Sequence, residues 1–370
     1  MVGYLMGGVL CGLSLIKSKS KYIYFLLFLY AWVLFGLNTD NVDLNNYKGR
    51  FIGGSGLISE PIFLGMMKVF RKLGFQYQGF LAVYALICLI LLSVLILKLS
   101  PNPAAVLCLY LIFPFCLDTV QIRFFLASSI FILASGCLIR YQNDRKGIYI
   151  VLFFGLLLIA SGVHYSAALF AICAVLFLDE KRHGFLQYIL VPCALIIVPV
   201  MLPSLIELIS PVIGMKKANS WIGEITVVTA TRAIRLFVVR GEMVLLCLIA
   251  KHLPWERDPY YGQNKKEQKI DHVLFMLMLY SMLFAFMEVF LSEACERMTR
   301  PGLLFGYIYL TRRIYPADRT TRVAIWILIG GIAFVNFYTN MFLGVPLGWT
   351  DQFHSIFLNM FQNNLLFSRL

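Results

Sequence analysis

A polytopic, all-α membrane protein is the fold class this sequence predicts, and three observations carry it. First, 60% of the 370 residues are hydrophobic, and the mean hydropathy is +0.80. Second, apolar runs of spanning or near-spanning length recur along the whole chain, which suits helices rather than the short alternating segments of a β-barrel. Third, the 32 Lys+Arg outnumber the 19 Asp+Glu and gather in the segments between those runs, as topology signals do. No polar stretch is long enough for a separate soluble domain, so residues 1–370 read as a single integral membrane domain. The positive charge is split between both faces, and no nucleic-acid reader motif is present, which excludes nucleic acid as a partner. The nine cysteines fall almost entirely inside apolar runs without CxxC spacing. They read as small core hydrophobes, and neither a metal site nor a cofactor is expected.

Taken in order, the apolar runs predict about twelve transmembrane helices near residues 2–16, 22–37, 78–98, 103–117, 121–139, 147–163, 166–178, 185–203, 236–250, 272–290, 301–311 and 323–343. The first run is followed by Lys17, Lys19 and Lys21, the wrong polarity for a cleaved signal, and is expected to be a span. One set of six loops holds 18 Lys+Arg, including the segment 251–271; the opposite set holds 13, concentrated in a few longer loops. The first set is expected to be cytoplasmic, which places both termini outside. The long outward segments are then 38–77, 204–235 and the C-terminal tail 344–370.

Within 38–77, Gly53-Gly54-Ser55-Gly56 reads as a joint. Ser59 can cap a helix with Pro61 in its first turn. Ile62, Phe63, Met66, Met67, Phe70 and Leu73 then recur at helical spacing, which predicts an amphipathic helix lying in the interface. Residues 349–365 carry a similar pattern through Trp349, Phe353, Phe357, Met360 and Phe361. Pro301 is expected to end one helix and begin the next span. No internal repeat is visible, which weighs against a transporter.

Membrane architecture does not require the charges on the outward side, and charged groups at a bilayer boundary mark candidate sites. The loop after the second span carries Asp40, Asp43 and Tyr47, with Glu60 following. Acids, amides and Tyr bind sugar hydroxyls, although a solvated loop would look the same. Asp118-Thr-Val-Gln121-Ile-Arg123 sets a guanidinium at the mouth of a span, where it suits a phosphate or pyrophosphate; snorkelling is the alternative. His164 closes one span and could serve as general base or phosphate donor, or be a satisfied core residue. Arg232 and Arg235 share a helix face with Glu242, and Arg240 lies in the same run. Glu293–Arg297 and Glu296–Arg300 are i,i+4 pairs, which could also be a self-neutralised helix turn. Glu288, deeper in the preceding run, needs a partner. No Walker loop, HExxH or GxSxG is present, and no nucleotide site is evident.

Together these motifs resemble the EpsG family, relatives of the Wzy-type polysaccharide polymerases. The resemblance rests on Asp43-x3-Tyr47-x3-Phe51, Glu60-Pro61-Ile62-Phe63, Gln121-Ile-Arg123-Phe-Phe-Leu126-Ala127, His164-Tyr-Ser166-Ala167 and Glu296-Arg297. It runs from about residue 35 to 310. Asn38 and Thr39 stand where the family's approach to the Asp motif is Arg-rich. The resemblance implies a GT-C-like glycosyltransferase of the bacterial cytoplasmic membrane, acting on its outer face. Donor and acceptor would both be polyprenyl-pyrophosphate-linked glycans, as in O-antigen, capsule or exopolysaccharide polymerisation. Membrane lipid and a chain-length regulator protein would be further partners. On this reading His164, Arg123, Glu296 and Arg297 are catalytic; Asp40, Asp43, Tyr47, Glu60, Gln121, Arg232, Arg235, Glu293 and Arg300 bind substrate. A lipid-linked glycan flippase is the competing expectation, and a membrane acyltransferase a third.

Overall fold

Among the described residues regular structure is helical, and the one β-bridge joins Asn38 to Asn364. The architecture comes from a computed structural model that describes residues 2–41, 43–53, 60–197, 230–252, 265–288, 292–314, 319–343 and 353–367. In chain order the first helices are α1 (Val2–Ile16), α2 (Lys21–Gly36), α3 (Leu44–Ile52), α4 (Pro61–Lys72), α5 (Tyr77–Leu99), α6 (Pro103–Ile112), α7 (Phe115–Val120), α8 (Ile122–Asp144) and α9 (Ile148–Val163). A 3₁₀ segment (Tyr165–Phe177), α10 (Glu180–Phe185) and a π-type turn (Leu186–Leu190) follow. Then come α11 (Ala230–His252), α12 (Lys265–Leu283), α13 (Ala285–Glu288), α14 (Ser292–Ile314) and α15 (Arg319–Tyr338). The tail carries a π-type segment (Phe353–Leu358) and α16 (Asn359–Gln362).

Among the described residues, three stretches are long and apolar enough to cross a membrane: Tyr77–Leu99, Ile122–Asp144 and Thr320–Phe342. Shorter apolar helices accompany them, including α1, α2, α6, α9 and the 3₁₀ segment. The chain is a multi-pass membrane protein. Its outward-facing apolar side chains fit lipid as solvent: Leu152, Phe154, Leu158 and Ile159 on α9, and Ile327, Leu328 and Phe334 on α15 are exposed. Such patches would be a liability in water. The 3₁₀ segment has 13 residues; at roughly 2 Å each they reach about 26 Å, further than an α-helix of equal length. Helix α8 is at the centre and touches α5, α9, α12, α14 and the 3₁₀ segment. Phe131 of α8 stacks on Phe170 at 3.9 Å.

Two expectations from sequence are corrected. The run at 103–117 is divided into α6 and α7, because Phe113 is extended (φ −163, ψ 132) before Pro114, as a residue preceding proline prefers. Pro301 does not start a helix: it lies inside the continuous α14. Met298, Leu303 and Leu304 are buried on either side of it, so packing holds the helix through the lost N–H. Close approach reinforces this, since a Cβ on Gly302 would meet Ser281 Cβ at 2.7 Å and the Met278 carbonyl oxygen at 3.2 Å.

Polar contacts gather at two ends of the bundle. At one, Arg312 is held by Glu267 and Asp271 and donates to the Leu99 carbonyl, while Ser100 meets Thr311 at 3.0 Å. At the other, the tail folds over the end of α2: the Thr39 N–H donates to the Asn363 carbonyl at 2.8 Å, and Asn364 donates to the Val33 carbonyl at 2.9 Å. Met360 and Phe361 are buried there, so this amphipathic stretch packs against protein. Between the ends, Arg240 is buried and donates to Asn336 Oδ1 at 2.6 Å.

Candidate functional site

The end of the bundle that holds the tail also holds the motif residues, and α3 and α4 place them. The Asn41 side chain starts α3: its Oδ1 accepts from the N–H groups of Asp43 (3.1 Å) and Leu44 (2.8 Å), and its Nδ2 donates to the Thr119 carbonyl at 3.3 Å. Asp43 occupies the N-cap without a side-chain capping bond. Positions i, i+4 and i+8 share a helix face, so Asp43, Tyr47 and Phe51 line up. Tyr47 meets Phe63 edge-on at 5.9 Å, and Phe51 stacks on Phe80 at 5.3 Å. The helix ends at Gly53, whose φ of +107 is the left-handed conformation a terminating glycine supplies.

Helix α4 is the predicted amphipathic helix, with Pro61 in its first turn and Glu60 at its N-cap; Ser59 and Gly54 to Gly56 lie outside the described residues. Phe63 and Met67 are its buried face. Glu60 is also buried, and Arg123 explains how. Arg123 Nη1 donates to both carboxylate oxygens of Glu60, at 2.7 and 2.6 Å. The guanidinium lies over the Tyr47 ring at 5.7 Å. Only Nη1 is used by the carboxylate, so Nε and Nη2 are not committed to an acid among the described residues. Helix α8 begins at Ile122, immediately after Gln121, and so sets Arg123 in its first turn. The Gln121 Oε1 is buried with no hydrogen-bond partner among the described residues.

His164 ends α9 in an extended conformation and caps the 3₁₀ segment. The Ser166 N–H donates to His164 Nδ1 at 3.3 Å, and the Ser166 Oγ is 2.8 Å from the same atom. A backbone N–H can only donate, so Nδ1 is an acceptor and the neutral ring carries its proton on Nε2. The ring meets Phe124 edge-on at 5.6 Å. Burial, with the charges of Arg297 and Arg123 added, lowers the imidazole pKa to about 4 against the opposing pull of Glu60. The near-neutral basicity expected of His164 is therefore not what its surroundings produce. Burial also pushes the Tyr47 hydroxyl up, with Arg123 and Arg297 opposing and Asp43 adding to the rise.

Beside this cluster lies a second one. Arg300 is fully buried and donates to Asp118 Oδ1 at 3.2 Å. The Tyr110 hydroxyl donates to Asp118 Oδ2 at 2.5 Å. The i,i+4 contact of Arg300 with Glu296 is present at 3.5 Å, but Asp118 is the closer partner.

The structure thus places Arg123 and Arg297 within electrostatic reach of both Tyr47 and His164, with Glu60 bound to Arg123, Asp43 near Tyr47 and Gln121 two residues before Arg123 in the chain. Glu296 and Arg300 connect through Asp118. Asp40 is exposed, with its N–H bonded to Asn38 Oδ1 at 3.2 Å. Arg232 and Arg235 are in α11 and Glu293 in α14, but their side chains lie outside the described residues, as does that of Glu288. Asn41, Tyr110 and Asp118 were not among the expected site residues. Asp118 alone had a sequence signal, an acid five positions before Arg123. The charges acting on His164 are thus those of Arg297, Arg123 and Glu60.

The EpsG family, a family of Wzy-type polysaccharide polymerase-like membrane proteins, matches residues 21–351. No curated protein and no solved structure matches the chain.

Proposed function

Because the chain belongs to the EpsG family, we propose that it polymerises polyprenyl-pyrophosphate-linked oligosaccharide units at the outer face of the bacterial cytoplasmic membrane. On this reading it is a GT-C-like glycosyltransferase with about twelve spans and no nucleotide-sugar site. The observation that supports it, beside the family match, is the largely buried Glu60–Arg123 pair against the Tyr47 ring, with the charges of Arg123 and Arg297 acting on His164. A pyrophosphate brought there meets two cations and an Nε2–H donor.

In the reaction, the acceptor sugar hydroxyl attacks C1 of the donor glycan. The C1–O bond to pyrophosphate breaks, and the leaving group departs with the electron pair. Stabilising that charge is the main contribution, and Arg123, Arg297 and His164 are the groups for it. The hydroxyl proton must go to an acceptor. His164 Nδ1 is already engaged by Ser166, and Glu60 is bound to Arg123. In this scheme an outward carboxylate takes the proton, and Asp43, at the start of α3 on the face of Tyr47, is the group assigned. Tyr47, Glu60, Gln121 and the exposed Asp40 contact sugar, and Arg232, Arg235 and Glu293 belong to the surrounding substrate groove; Arg300, expected there from sequence, is instead buried on Asp118 and holds the groove's frame. The polyprenyl tails would lie in lipid-facing grooves, and a chain-length regulator protein would bind outside.

The test is the surface glycan of a strain lacking the gene, together with the purified protein given lipid-linked repeat units. Single repeats on the surface and elongation in vitro support the proposal. Lipid-linked units trapped inside the cell would instead mark a flippase and overturn it.

A further inference from the structure

At the end of the bundle opposite Arg123, a pocket of about 280 Å³ opens among α10, the π-type turn Leu186–Leu190, the end of α11 and the start of α12. The reaction proposed above does not use it. Its walls include Glu180, Tyr188, Lys251, His272, Phe275 and Arg313. Lys251 Nζ is 5.0 Å from the ring centroids of both Tyr188 and Phe275. Two aromatic faces therefore hold the ammonium, and no carboxylate lies within ion-pair distance of it among the described residues. Its N–H groups remain able to donate to an anion.

The opposite wall is negative. The Tyr188 hydroxyl donates to Glu180 Oε1 at 2.9 Å, and the same oxygen is 3.5 Å from His272 Nδ1. The Glu180 side chain is about half exposed, at 49%, so the carboxylate can accept another donor. Asp271 adds no further charge to the pocket, because Arg312 and Arg313 hold it. One tyrosine thus separates the two poles: its ring faces Lys251 and its hydroxyl faces Glu180. Exposed apolar residues stand close in the chain to both Tyr188 and Lys251. Ile189 and Leu190 next to Tyr188, and Leu248 and Ile249 shortly before Lys251, are exposed.

The geometry points to a binding site for a zwitterionic aminophospholipid: the phosphate against Lys251, the primary ammonium against Glu180, and the acyl chains along the exposed apolar residues. Phosphatidylethanolamine has this chemistry, with two carbons between its charges. Phosphatidylglycerol lacks the cation, and phosphatidylcholine has a cation without N–H donors.

The full-length protein in detergent is mixed in turn with dioleoyl phosphatidylethanolamine, phosphatidylglycerol and phosphatidylcholine, and retained lipid is measured by native mass spectrometry. Phosphatidylethanolamine should be retained about tenfold more strongly than either other lipid, as expected for one additional charge-assisted hydrogen bond. Glu180→Gln should abolish the preference over phosphatidylglycerol. Lys251→Gln should weaken retention about tenfold, and Lys251→Arg should restore it. Equal or stronger retention of phosphatidylglycerol by the wild type overturns the proposal, as does wild-type selectivity in Glu180→Gln. If Lys251→Gln does not fold, Glu180→Gln, at its half-exposed position, decides the matter alone.

Discussion

Replacing His164 by Gln and by Ala separates two roles that sequence alone leaves open. The Ser166 N–H and hydroxyl occupy Nδ1, so the neutral ring carries its proton on Nε2. That atom can donate to a pyrophosphate oxygen, and the neutral ring has no second lone pair free to take a proton. Removing one donor to a developing oxyanion costs roughly 10²–10³ in kcat. His164→Ala should fall by about that factor. A Gln side chain places its amide Nε2 near the position of the imidazole Nε2 and keeps a donor there. His164→Gln should therefore regain at least about tenfold over Ala, whereas His164→Asn, which mimics Nδ1, should not. A His acting as base predicts the opposite, with Gln as inactive as Ala. The assay is elongation of purified lipid-linked repeats in nanodiscs, with substrate binding measured separately. If Gln and Ala variants fold, bind equally and are equally inactive, the donor role is refuted.

Stability against pH gives a second readout on the same residue. The folded protein holds His164 at about 4, below the roughly 6.5 of an unfolded chain. The unfolded state then takes up the proton first. The stabilisation from keeping the ring neutral is fully present above about 6.5 and is lost as pH falls toward 4. Its full size is about 3 kcal/mol. Thermal unfolding between pH 7 and 4 should fall less steeply in His164→Gln than in the wild type. Parallel curves would show that the site does not hold the ring neutral.

Glu60 and Arg123 should behave as a coupled pair. Glu60→Ala alone leaves a largely buried guanidinium without its acid and should cost about 3 kcal/mol, while Glu60→Ala with Arg123→Met recovers part of that loss in a double-mutant cycle read by thermal unfolding. Gly302→Ala should destabilise by about 1–3 kcal/mol, because its Cβ would meet Ser281 Cβ at 2.7 Å; Gly330→Ala, with open space around its Cβ position, should be neutral. Topology is checked by cysteine labelling in a Cys-free background: Lys68→Cys should react with an impermeant reagent in intact cells and Gln263→Cys should not. Reaction at Gln263→Cys would reverse the orientation inferred from the Lys and Arg distribution.

The parts of this fold that sequence discloses are those set by local rules. Helices α2, α5 and α9 begin and end within about two residues of the expected runs, because Lys21, Ser100 and Gly147 punctuate them. The face shared by Asp43, Tyr47 and Phe51 follows from helical period alone. Non-local packing decides the rest. Pro301 has the chemistry of a helix start, yet α14 continues through it, packed closely against α12 at Gly302. The 3₁₀ winding after His164 has no local signature in an apolar run that would suit an α-helix equally.

The same division explains the site. The motif residues could be found one by one, since charge beside an apolar run is conspicuous. Their pairing could not. Glu60 and Arg123 are 63 residues apart, and Asp118 and Arg300 are 182 apart, so no spacing rule connects them. The i,i+4 rule correctly supplied Glu296 for Arg300 but missed Asp118, the closer and more deeply buried partner. This difference changes the chemistry assigned to the cations. Arg300, enclosed with Asp118 and Tyr110, is suited to fixing α14 against α7. Arg123 and Arg297 instead both oppose protonation of His164, as the anion site proposed for them requires. A cation count from sequence treats all three alike; burial and partners divide them into a strut and a candidate anion site.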